Sequence, residues 1–347
     1  MSVQRGKTVV PQRKISLKFL ANYLGLSTAT VSLVMNRSPV ADSIPQETHE
    51  RIFAAARKFN YRPNFVARSL RAQRTFSIGV MVPEVSEGYA AGILSGVEEY
   101  LLKKGYFYFV VGHHHRADLI DEYPRLLQER AVDGLIAVDM PWPHGVLSVP
   151  AVRVSGIPND GVDTIVLDHS RAADLALRHL AELGHKRIAF LKGQEFSSDT
   201  EARWKAIRSA AQRLGLAIRS SLTTQLVGDF SSPDLGYEVT RKLLARHERF
   251  TALFAFNDVS AIGAVRAIRE TGLDVPRDIS VVGFDDIPNA AFQWPGLTTI
   301  RQPLREMGRI AAETVLRRIT CQEKDEQPEV IVVQPELVIR GSTARVQ

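Results

Sequence analysis

Apolar residues first recur at helical spacing close to the start of the chain. The first predicted helix follows the N-cap Ser16 and ends at Gly25, which can adopt the left-handed conformation of a tight turn. Its apolar positions are Leu17, Leu20, Ala21 and Leu24. A second short helix is predicted over Thr28–Met35, between the N-cap Ser27 and Asn36, with small hydroxyl residues on its outer face. Two short helices joined by a glycine turn predict a helix-turn-helix.

A third helix, from about Pro45 to Phe59, would complete a three-helix headpiece. Charge adds to this prediction, since Met1–Thr75 carries 13 Lys or Arg against 3 Asp or Glu, a net +10. The remainder carries 31 against 35, a net −4. A solvated basic tail or a helical bundle of no particular function would also fit parts of this pattern. A basic segment with a helix-turn-helix favours binding to the major groove of DNA.

Downstream of Ser77, short apolar strands alternate with amphipathic helices. The strands are predicted at 78–82, 107–111, 134–138, 187–191, 222–227, 252–256 and 279–284, and helices at 90–104 and 119–130. This alternation predicts parallel sheets covered by helices on both faces, arranged as two Rossmann-like lobes. Ligands of such domains bind beyond the carboxyl ends of the strands.

Strong hydrogen-bonding residues follow several of these strands. Asn257 and Asp258 follow one strand, Asp285 follows another, and Arg203 lies on a polar loop that runs into a helix. An amide, a carboxylate and a guanidinium beside an aromatic ring suit sugar hydroxyls, or a purine or anionic metabolite. For Asp258 and Asp286, helix capping is favoured over ligand binding.

Ordered sequence blocks resemble one known family over almost the whole chain. The blocks include "ISLKFLANYLGLSTATVSLVMN", "YRPNFVARSLR", "RAVDGLIAVD", "LAELGHKRIAFLKG", "LFAFNDVSAIGAVRAIRE", "VPRDISVVGFDDIP" and "LTTIRQPLREMG". They resemble the lactose-repressor (LacI) family, which implies a helix-turn-helix headpiece and a periplasmic-binding-protein-like domain of two lobes. The resemblance implies a transcriptional repressor that binds a palindromic operator as a homodimer under the control of a small-molecule effector, with a sugar or sugar derivative favoured.

The resemblance assigns roles in DNA binding along the second helix. Phosphate contacts and helix orientation are implied for Ser27, Thr30, Ser32 and Asn36, and base contacts for Thr28, Ala29 and Leu33. Many members have Arg where this chain has Leu33, which offers only apolar contact, for instance to a thymine methyl, or is an inward core residue. Phe19 also departs from the family, where an acidic residue is usual.

The segment after the headpiece is too short for a stable isolated helix, so we expect it to be disordered in the free protein. By resemblance it is a hinge that folds on DNA and lies in the minor groove, where Leu70 would be the apolar wedge between base pairs. The other hinge residues implied in DNA binding are Asn64, Ala67 and Arg68. An ordinary linker is the alternative.

The resemblance also implies effector-binding residues and a domain plan. The effector residues are Arg203, Asn257, Asp285 and Phe230, with Tyr89, Asp139 and Asp199 as weaker candidates. The plan comprises a basic tail (1–14), a headpiece (15–62), a hinge (63–75), an N-lobe (76–165 and 298–326) and a C-lobe (166–297 and 327–347). Three chain crossings between lobes are therefore expected near Ile165, Thr298 and Gln327.

Other classes of protein find little support in the sequence. The run His113–His115 lacks metal-ligand spacing and is interpreted as a surface loop near the cleft, and no phosphate-binding or nucleophile-elbow motif is present. We therefore expect no metal, no cofactor and no catalysis. The single Cys321, and the lack of a signal sequence or an apolar span, favour a cytoplasmic protein without a membrane partner. A solute-binding protein and a sugar-metabolising enzyme are the rival classes, and the lack of a C-terminal leucine-heptad tail favours a dimer.

Overall fold

The computed structural model describes residues 15–36, 39–61, 69, 73–86, 88–142, 147–156, 161–228, 231–246, 248–320 and 327–346. The chain forms two compact units, Met1–Thr75 and Phe76–Gln347.

The first unit contains the helices α1 (Leu17–Leu24), α2 (Thr28–Met35) and α3 (Gln46–Lys58), with a short 3-10 helix at Pro39–Ser43. The predicted caps are confirmed, because the side chains of Ser16 and Ser27 each accept a hydrogen bond from a backbone N–H of the first turn. Gly25 has φ +65°, the left-handed conformation that the predicted turn requires. The axes of α1 and α2 differ by 112°, an angle typical of a helix-turn-helix.

A small apolar core holds these three helices together. Leu20 from α1, Val31 and Val34 from α2, and Ile52 from α3 are each at most 1% exposed. Among the described residues no single helix is long and apolar enough to cross a membrane, and only α1 and α2 taken together as a bent pair meet that criterion.

The second unit contains eight helices and twelve strands within its described residues. The helices are α4 (Gly88–Lys103), α5 (Ala117–Glu129), α6 (His169–Glu182), α7 (Thr200–Arg213), α8 (Pro233–Leu244), α9 (Asp258–Glu270), α10 (Pro288–Phe292) and α11 (Leu304–Thr320). The strands are β1 (Ser77–Val82), β2 (Phe107–Gly112), β3 (Gly134–Val138), β4 (Ala151–Val154), β5 (Asp163–Leu167), β6 (Ile188–Lys192), β7 (Thr223–Gln225), β8 (Ala252–Phe254), β9 (Ser280–Asp285), β10 (Thr298–Arg301), β11 (Val330–Val333) and β12 (Glu336–Val338).

These strands form two six-stranded sheets, one in each lobe. The N-lobe sheet has the order β11-β5-β4-β3-β1-β2 and the C-lobe sheet the order β12-β10-β9-β8-β6-β7. All neighbours are parallel except β10 and β12, which are antiparallel. The predicted α/β architecture of two parallel-sheet lobes is therefore confirmed.

The predicted lobe boundaries near Thr298 and Gln327 need correction. β10 belongs to the C-lobe because its backbone pairs with β9, whereas β11 belongs to the N-lobe because it pairs with β5. The chain therefore crosses between the lobes after β5, between β10 and α11, and between β11 and β12. The third crossing lies several residues beyond its predicted place.

Each lobe contains one pair of helices that touch backbone to backbone through glycines. In the N-lobe, a Cβ at Gly96 would overlap the carbonyl of Arg305, and one at Gly308 would overlap the carbonyl of Ile93. The C-lobe repeats this arrangement between α8 and α9, where Gly236 and Gly263 face the backbone of the opposite helix. Neither contact leaves space for a methyl group.

Candidate functional site

Helix α2 turns its apolar side into the headpiece and a face of small side chains outward. Val31 and Val34 are buried, while Thr28 and Ala29 are exposed. The Ser27 hydroxyl accepts a hydrogen bond from the Thr30 N–H (3.0 Å) and also bonds the Thr30 hydroxyl (2.8 Å). At the other end, the Asn36 amide donates to the Ser32 carbonyl (2.8 Å) and hydroxyl (3.2 Å). Four of the residues assigned to phosphates therefore stabilise the ends of this helix.

The two departures from the family pattern have distinct surroundings. Leu33 is half-buried and packs against the headpiece core, so the alternative of an inward residue is correct in part. Phe19 packs edge-to-face on Phe59, which also contacts Tyr23. The Lys58 ammonium lies 5.1 Å from the centre of the Tyr23 ring and 5.4 Å from that of Phe59. Phe19 thus belongs to an aromatic cluster that joins α1 to the end of α3.

In the second unit, the carboxyl ends of both sheets meet at a cleft between the lobes. The cavity at its centre encloses about 40 Å³. Its N-lobe walls include Asp139 and His115, and its C-lobe walls include Phe196, Phe256 and Asn257. Ligand pockets usually span roughly 300–1,000 Å³, so the lobes lie too close together here for a metabolite to fit in this cavity.

Arg203 lies beside the cavity, stacked on Phe256 of its wall, and is 4% exposed. Its guanidinium carbon lies 3.7 Å from the centre of the Phe284 ring and 4.3 Å from that of Phe256. One terminal nitrogen donates to the Phe256 carbonyl (2.5 Å), and the other lies 3.5 Å from Asp199. The Nε of Arg203 is buried and has no hydrogen-bond partner among the described residues. The side chain is thus fixed in position with one donor free.

Asp285, at the end of β9, is a neutral acid at pH 7. Burial raises the pKa of its carboxyl to about 8, although Arg203 acts in the opposite direction. The amide Nε2 of Gln302 donates to Asp285 at 2.6 Å, and the Oε1 of that amide is buried without a partner among the described residues. Asp285 also has φ +106°, a conformation that is costly for a residue with a side chain and is typical of functional sites.

Asp199 is the ionised acid of the cleft. Burial alone would raise its pKa, but His169, Arg203 and the Gly156 N–H together hold the pKa of Asp199 well below its ordinary value. The imidazole Nε2 of His169 lies 3.6 Å from one oxygen of Asp199, and the Gly156 N–H donates to the same oxygen at 3.2 Å. Gly156 belongs to the N-lobe, so this carboxylate links the two lobes.

Asp139 forms a second link between the lobes. Its carboxylate, at the end of β3, accepts hydrogen bonds from the Ser198 N–H (2.9 Å), the Ser198 hydroxyl (2.6 Å) and the Ser197 hydroxyl (3.2 Å). Burial and the charge of Asp199 raise the pKa of Asp139. Tyr89 is buried nearby, with its hydroxyl 2.5 Å from that of Ser155, and burial and the charge of Asp199 raise its pKa well above the ordinary value.

The histidine run contributes to the cleft, which the sequence predicted only in part. His113 is buried, so the interpretation of the whole run as a surface loop is wrong; its Nε2 bonds the Val138 carbonyl at 3.1 Å. His115 stacks on Phe196 of the C-lobe with ring centres 4.2 Å apart, and its Nδ1 has no partner in the described residues. Burial lowers the pKa of both imidazoles to about 4. No group of three or more potential metal ligands occurs in the described part of the chain.

Sequence reasoning missed Phe196, His169 and Gln302 as cleft residues, and placed His115 only on a loop near the cleft. Gln302 could have been predicted from its position. It directly follows β10, and Asp285 lies at the end of the neighbouring strand β9. The other three follow strands or open a helix, but their residue types are also common in cores. Only their contacts in the folded protein identify them.

The helix caps next to β8 and β9 differ from those that the sequence predicted. Asn257 is the residue that caps α9, where its side chain accepts from the Ser260 N–H at 2.9 Å, and it also lines the cavity. The prediction that Asp258 and Asp286 act as helix caps is wrong. Asp258 accepts from the Thr299 hydroxyl (2.6 Å) and the Ile287 N–H (2.9 Å), and Asp286 pairs with Arg301 and Arg340.

Five predicted site residues lie outside the described residues. They are Asn64, Ala67, Arg68 and Leu70 of the hinge, and Phe230 of the effector site. Ser231, the neighbour of Phe230, lines the cavity.

Comparison with known proteins agrees with both halves of this arrangement. Residues 16–64 match bacterial regulatory proteins of the lacI family, and residues 177–343 match the periplasmic binding protein-like domain. The chain is 35% identical over 336 residues to the HTH-type transcriptional repressor PurR of Haemophilus influenzae, covering 94% of this chain and 98% of that protein.

Two solved structures are similar over most of their length. The lac repressor dimer bound to operator and the anti-inducer ONPF has a TM-score of 0.81 and 27% identity, and the match covers 96% of this chain and all of that chain. A LacI family transcriptional regulator from Enterococcus faecium with bound ribose has a TM-score of 0.68 and 29% identity, covering 78% of this chain and all of that one. The chain therefore belongs to the lacI family of DNA-binding bacterial transcriptional repressors.

Proposed function

We propose that this repressor binds a palindromic operator as a homodimer, and that a sugar or sugar derivative held between its lobes controls operator affinity. The observation that carries the proposal is the buried cluster of Arg203, Asp199 and Asp285 at the carboxyl ends of the strands. Burying charged groups costs free energy, so a buried cluster of this kind is typical of a ligand-binding site. The operator-binding part of the proposal is supported by the exposed outer face of α2.

The unused polar atoms of the cleft suit a neutral polyhydroxyl ligand. Arg203 Nε provides an unused donor, while Gln302 Oε1 and His115 Nδ1 provide unused polar atoms. Sugar hydroxyls both donate and accept, and can therefore satisfy all three. The ribose bound by the E. faecium regulator is a ligand of this class.

The homodimer is supported by an exposed apolar patch on the C-lobe. Phe292 is 89% exposed and Trp294 is 83% exposed. Trp294 also borders a groove between α8 and α9 whose walls include Tyr237 and Val265. Large exposed aromatic residues beside a groove are typical of protein interfaces. A second copy of this chain would bury the patch and place two headpieces on one DNA duplex.

The similarity of the chain to known repressors supports a binding role for the cleft. We infer that the cleft binds its ligand without converting it chemically. We also infer that the protein acts on DNA in the cytoplasm. Isothermal titration of the full chain with pentoses, hexoses and disaccharides tests the ligand class, with hypoxanthine and sugar phosphates as comparison ligands. We expect binding of at least one neutral sugar, together with a change of at least tenfold in operator affinity. Binding of a purine or a phosphate ester with no response to any neutral sugar would overturn the ligand class.

A further inference from the structure

The outward face of α2 combines the alkyl groups of Ala29 and Leu33 with the hydroxyl groups of Thr28 and Ser32. With about 100° of rotation per residue, Ala29, Ser32 and Leu33 lie farthest around the helix from the buried pair Val31 and Val34. The Ser32 hydroxyl accepts a hydrogen bond from Asn36, which leaves alkyl groups of Ala29 and Leu33 as the main features of this face. Thr28, exposed in the first turn, adds a γ-methyl group and a hydroxyl with no partner among the described residues.

The helix lacks the side chains that usually distinguish bases by paired hydrogen bonds. Its sequence, TATVSLVM, contains no Arg or Lys for guanine and no Asn or Gln for adenine. It also lacks an acidic residue that could accept from cytosine. Thymine is the one base that presents a methyl group in the major groove, and it is recognised by apolar contact.

We propose that α2 selects its operator half-site through thymine methyl groups, which pack against Ala29 and Leu33, and not through hydrogen bonds to guanine. This inference rests on the proposed operator binding and adds the class of sequence that is bound. Helix-turn-helix proteins contact base edges with the first turns of the second helix, which are the turns that carry Thr28 and Ala29.

The packing of Leu33 suits it to this role. Because it is half-buried against the headpiece core, its side chain is already held in place before DNA arrives. Little conformational entropy is lost when the remaining methyl surface meets a thymine. A long arginine at this position would instead lose rotational freedom about several side-chain bonds when it binds a guanine.

The test begins with selection of a binding site from random duplexes by the full-length protein. Each thymine of the selected half-site is then replaced by deoxyuridine, which removes only the methyl group, and affinity is measured by fluorescence anisotropy. We expect about a fourfold loss for each contacted methyl group, equivalent to about 0.8 kcal/mol. Deoxyuridine outside the half-sites serves as the matched control and should change affinity by less than twofold.

Two variants connect the methyl contact to Leu33. In Leu33→Ala, the loss caused by deoxyuridine should fall below twofold at one base pair and persist at the others. In Leu33→Arg, a new selection should return guanine at that base pair. Circular dichroism of each variant confirms that the headpiece is folded, and the deoxyuridine series on the unaltered protein stands independently of both variants.

The experiment separates failure of the proposed operator binding from failure of the thymine-methyl proposal. If the selection returns no consensus, the proposed operator binding fails. If it returns a consensus whose α2-facing base pairs are G·C, or if deoxyuridine has no effect anywhere in the half-sites, operator binding stands and the thymine-methyl proposal is overturned.

Discussion

At the scale of single residues, the cleft depends on two neighbouring acids in opposite protonation states. Asp199 is ionised because His169, Arg203 and a backbone N–H face it, whereas burial keeps Asp285 protonated at neutral pH. One acid therefore accepts hydrogen bonds and the other can donate one. A sugar hydroxyl placed between them would find a partner for its proton and for its lone pairs.

The first prediction concerns the proton on Asp285. Asp285→Asn keeps the shape and a donor, so sugar affinity should fall by no more than about fivefold, whereas Asp285→Ala should lose at least tenfold, the cost of one buried hydrogen bond. Calorimetric titration measures both, and operator affinity without ligand should change by less than twofold. If Asn is as damaging as Ala, the negative charge is required and the protonated assignment is wrong.

The second prediction concerns stability and pH at Asp258. Burial raises the pKa of this carboxyl to about 7, above its value in the unfolded chain. The unfolded chain therefore releases this proton near pH 4 and the folded protein only near pH 7, so the group lowers stability as pH rises through that window. Asp258→Asn, which stays neutral, should have a Tm that rises more, or falls less, between pH 4 and pH 7 than the Tm of the unaltered protein.

Asp118→Asn is the matched control for this experiment. Asp118 is exposed, and a hydrogen bond from Arg116 lowers the pKa of its carboxyl, the opposite direction from Asp258. Its Tm profile should parallel that of the unaltered protein. Identical profiles for Asp258→Asn and the unaltered protein would contradict the raised pKa.

At the scale of elements, the loop between β6 and α7 fastens the lobes together. Ser197, Ser198 and Phe196 contact Asp139 and His115 of the N-lobe. These contacts leave a cavity of about 40 Å³ between the lobes, so a ligand can enter only after the contacts open. The apparent affinity is then reduced by the fraction of molecules that are open.

The third prediction follows from that closed state. Ser198→Ala removes a 2.6 Å hydrogen bond to Asp139, and should raise the association rate of the sugar by about threefold to tenfold because more molecules are open. Stopped-flow fluorescence measures this rate. Ser95→Ala, at an exposed serine bonded only to its own helix, is the control and should leave the rate unchanged. A slower association in Ser198→Ala would show that the serine contacts the ligand and does not restrain the lobes.

The elements that sequence patterns predicted are those with strong local signals. Capping serines, a glycine turn and hydrophobic spacing defined α1 and α2 to within a residue, and the alternation of strands and helices gave both lobes. Short strands carry no distinctive period, and five strands of three to five residues escaped prediction: β4, β5, β10, β11 and β12. The lobe to which β11 and β12 belong is decided by the strand with which each pairs. In the cleft, the rule that ligands bind at strand ends brought Arg203, Asn257 and Asp285 together, but it could not indicate that Asn257 also caps a helix.

At the scale of the whole molecule, association of two chains would connect ligand binding in the lobes with DNA binding by the headpieces. A headpiece with a net charge of +10 up to Thr75 binds any DNA through phosphates, and two headpieces on one particle bind a palindrome far more tightly than one. The exposed Phe292 and Trp294 are our proposed source of that association. Their removal should therefore weaken operator binding without touching any residue near DNA.

The fourth prediction tests this patch. Trp294→Ser should shift the protein toward monomer in analytical ultracentrifugation and lower operator affinity at least tenfold, while nonspecific binding at low salt changes little. Leu273→Ser, on a different groove of the same lobe, is the control and should remain dimeric. A Trp294→Ser protein that stays dimeric would place the interface elsewhere.

The glycine contacts within each lobe determine how the molecule can move. Because α4 and α11, and likewise α8 and α9, meet with no space for a methyl group, neither pair can slide without breaking its packing. Relative motion of the lobes would then leave each helix pair intact. A ligand that shifts one lobe against the other would therefore move the Trp294 patch on the C-lobe and α4 on the N-lobe as complete units.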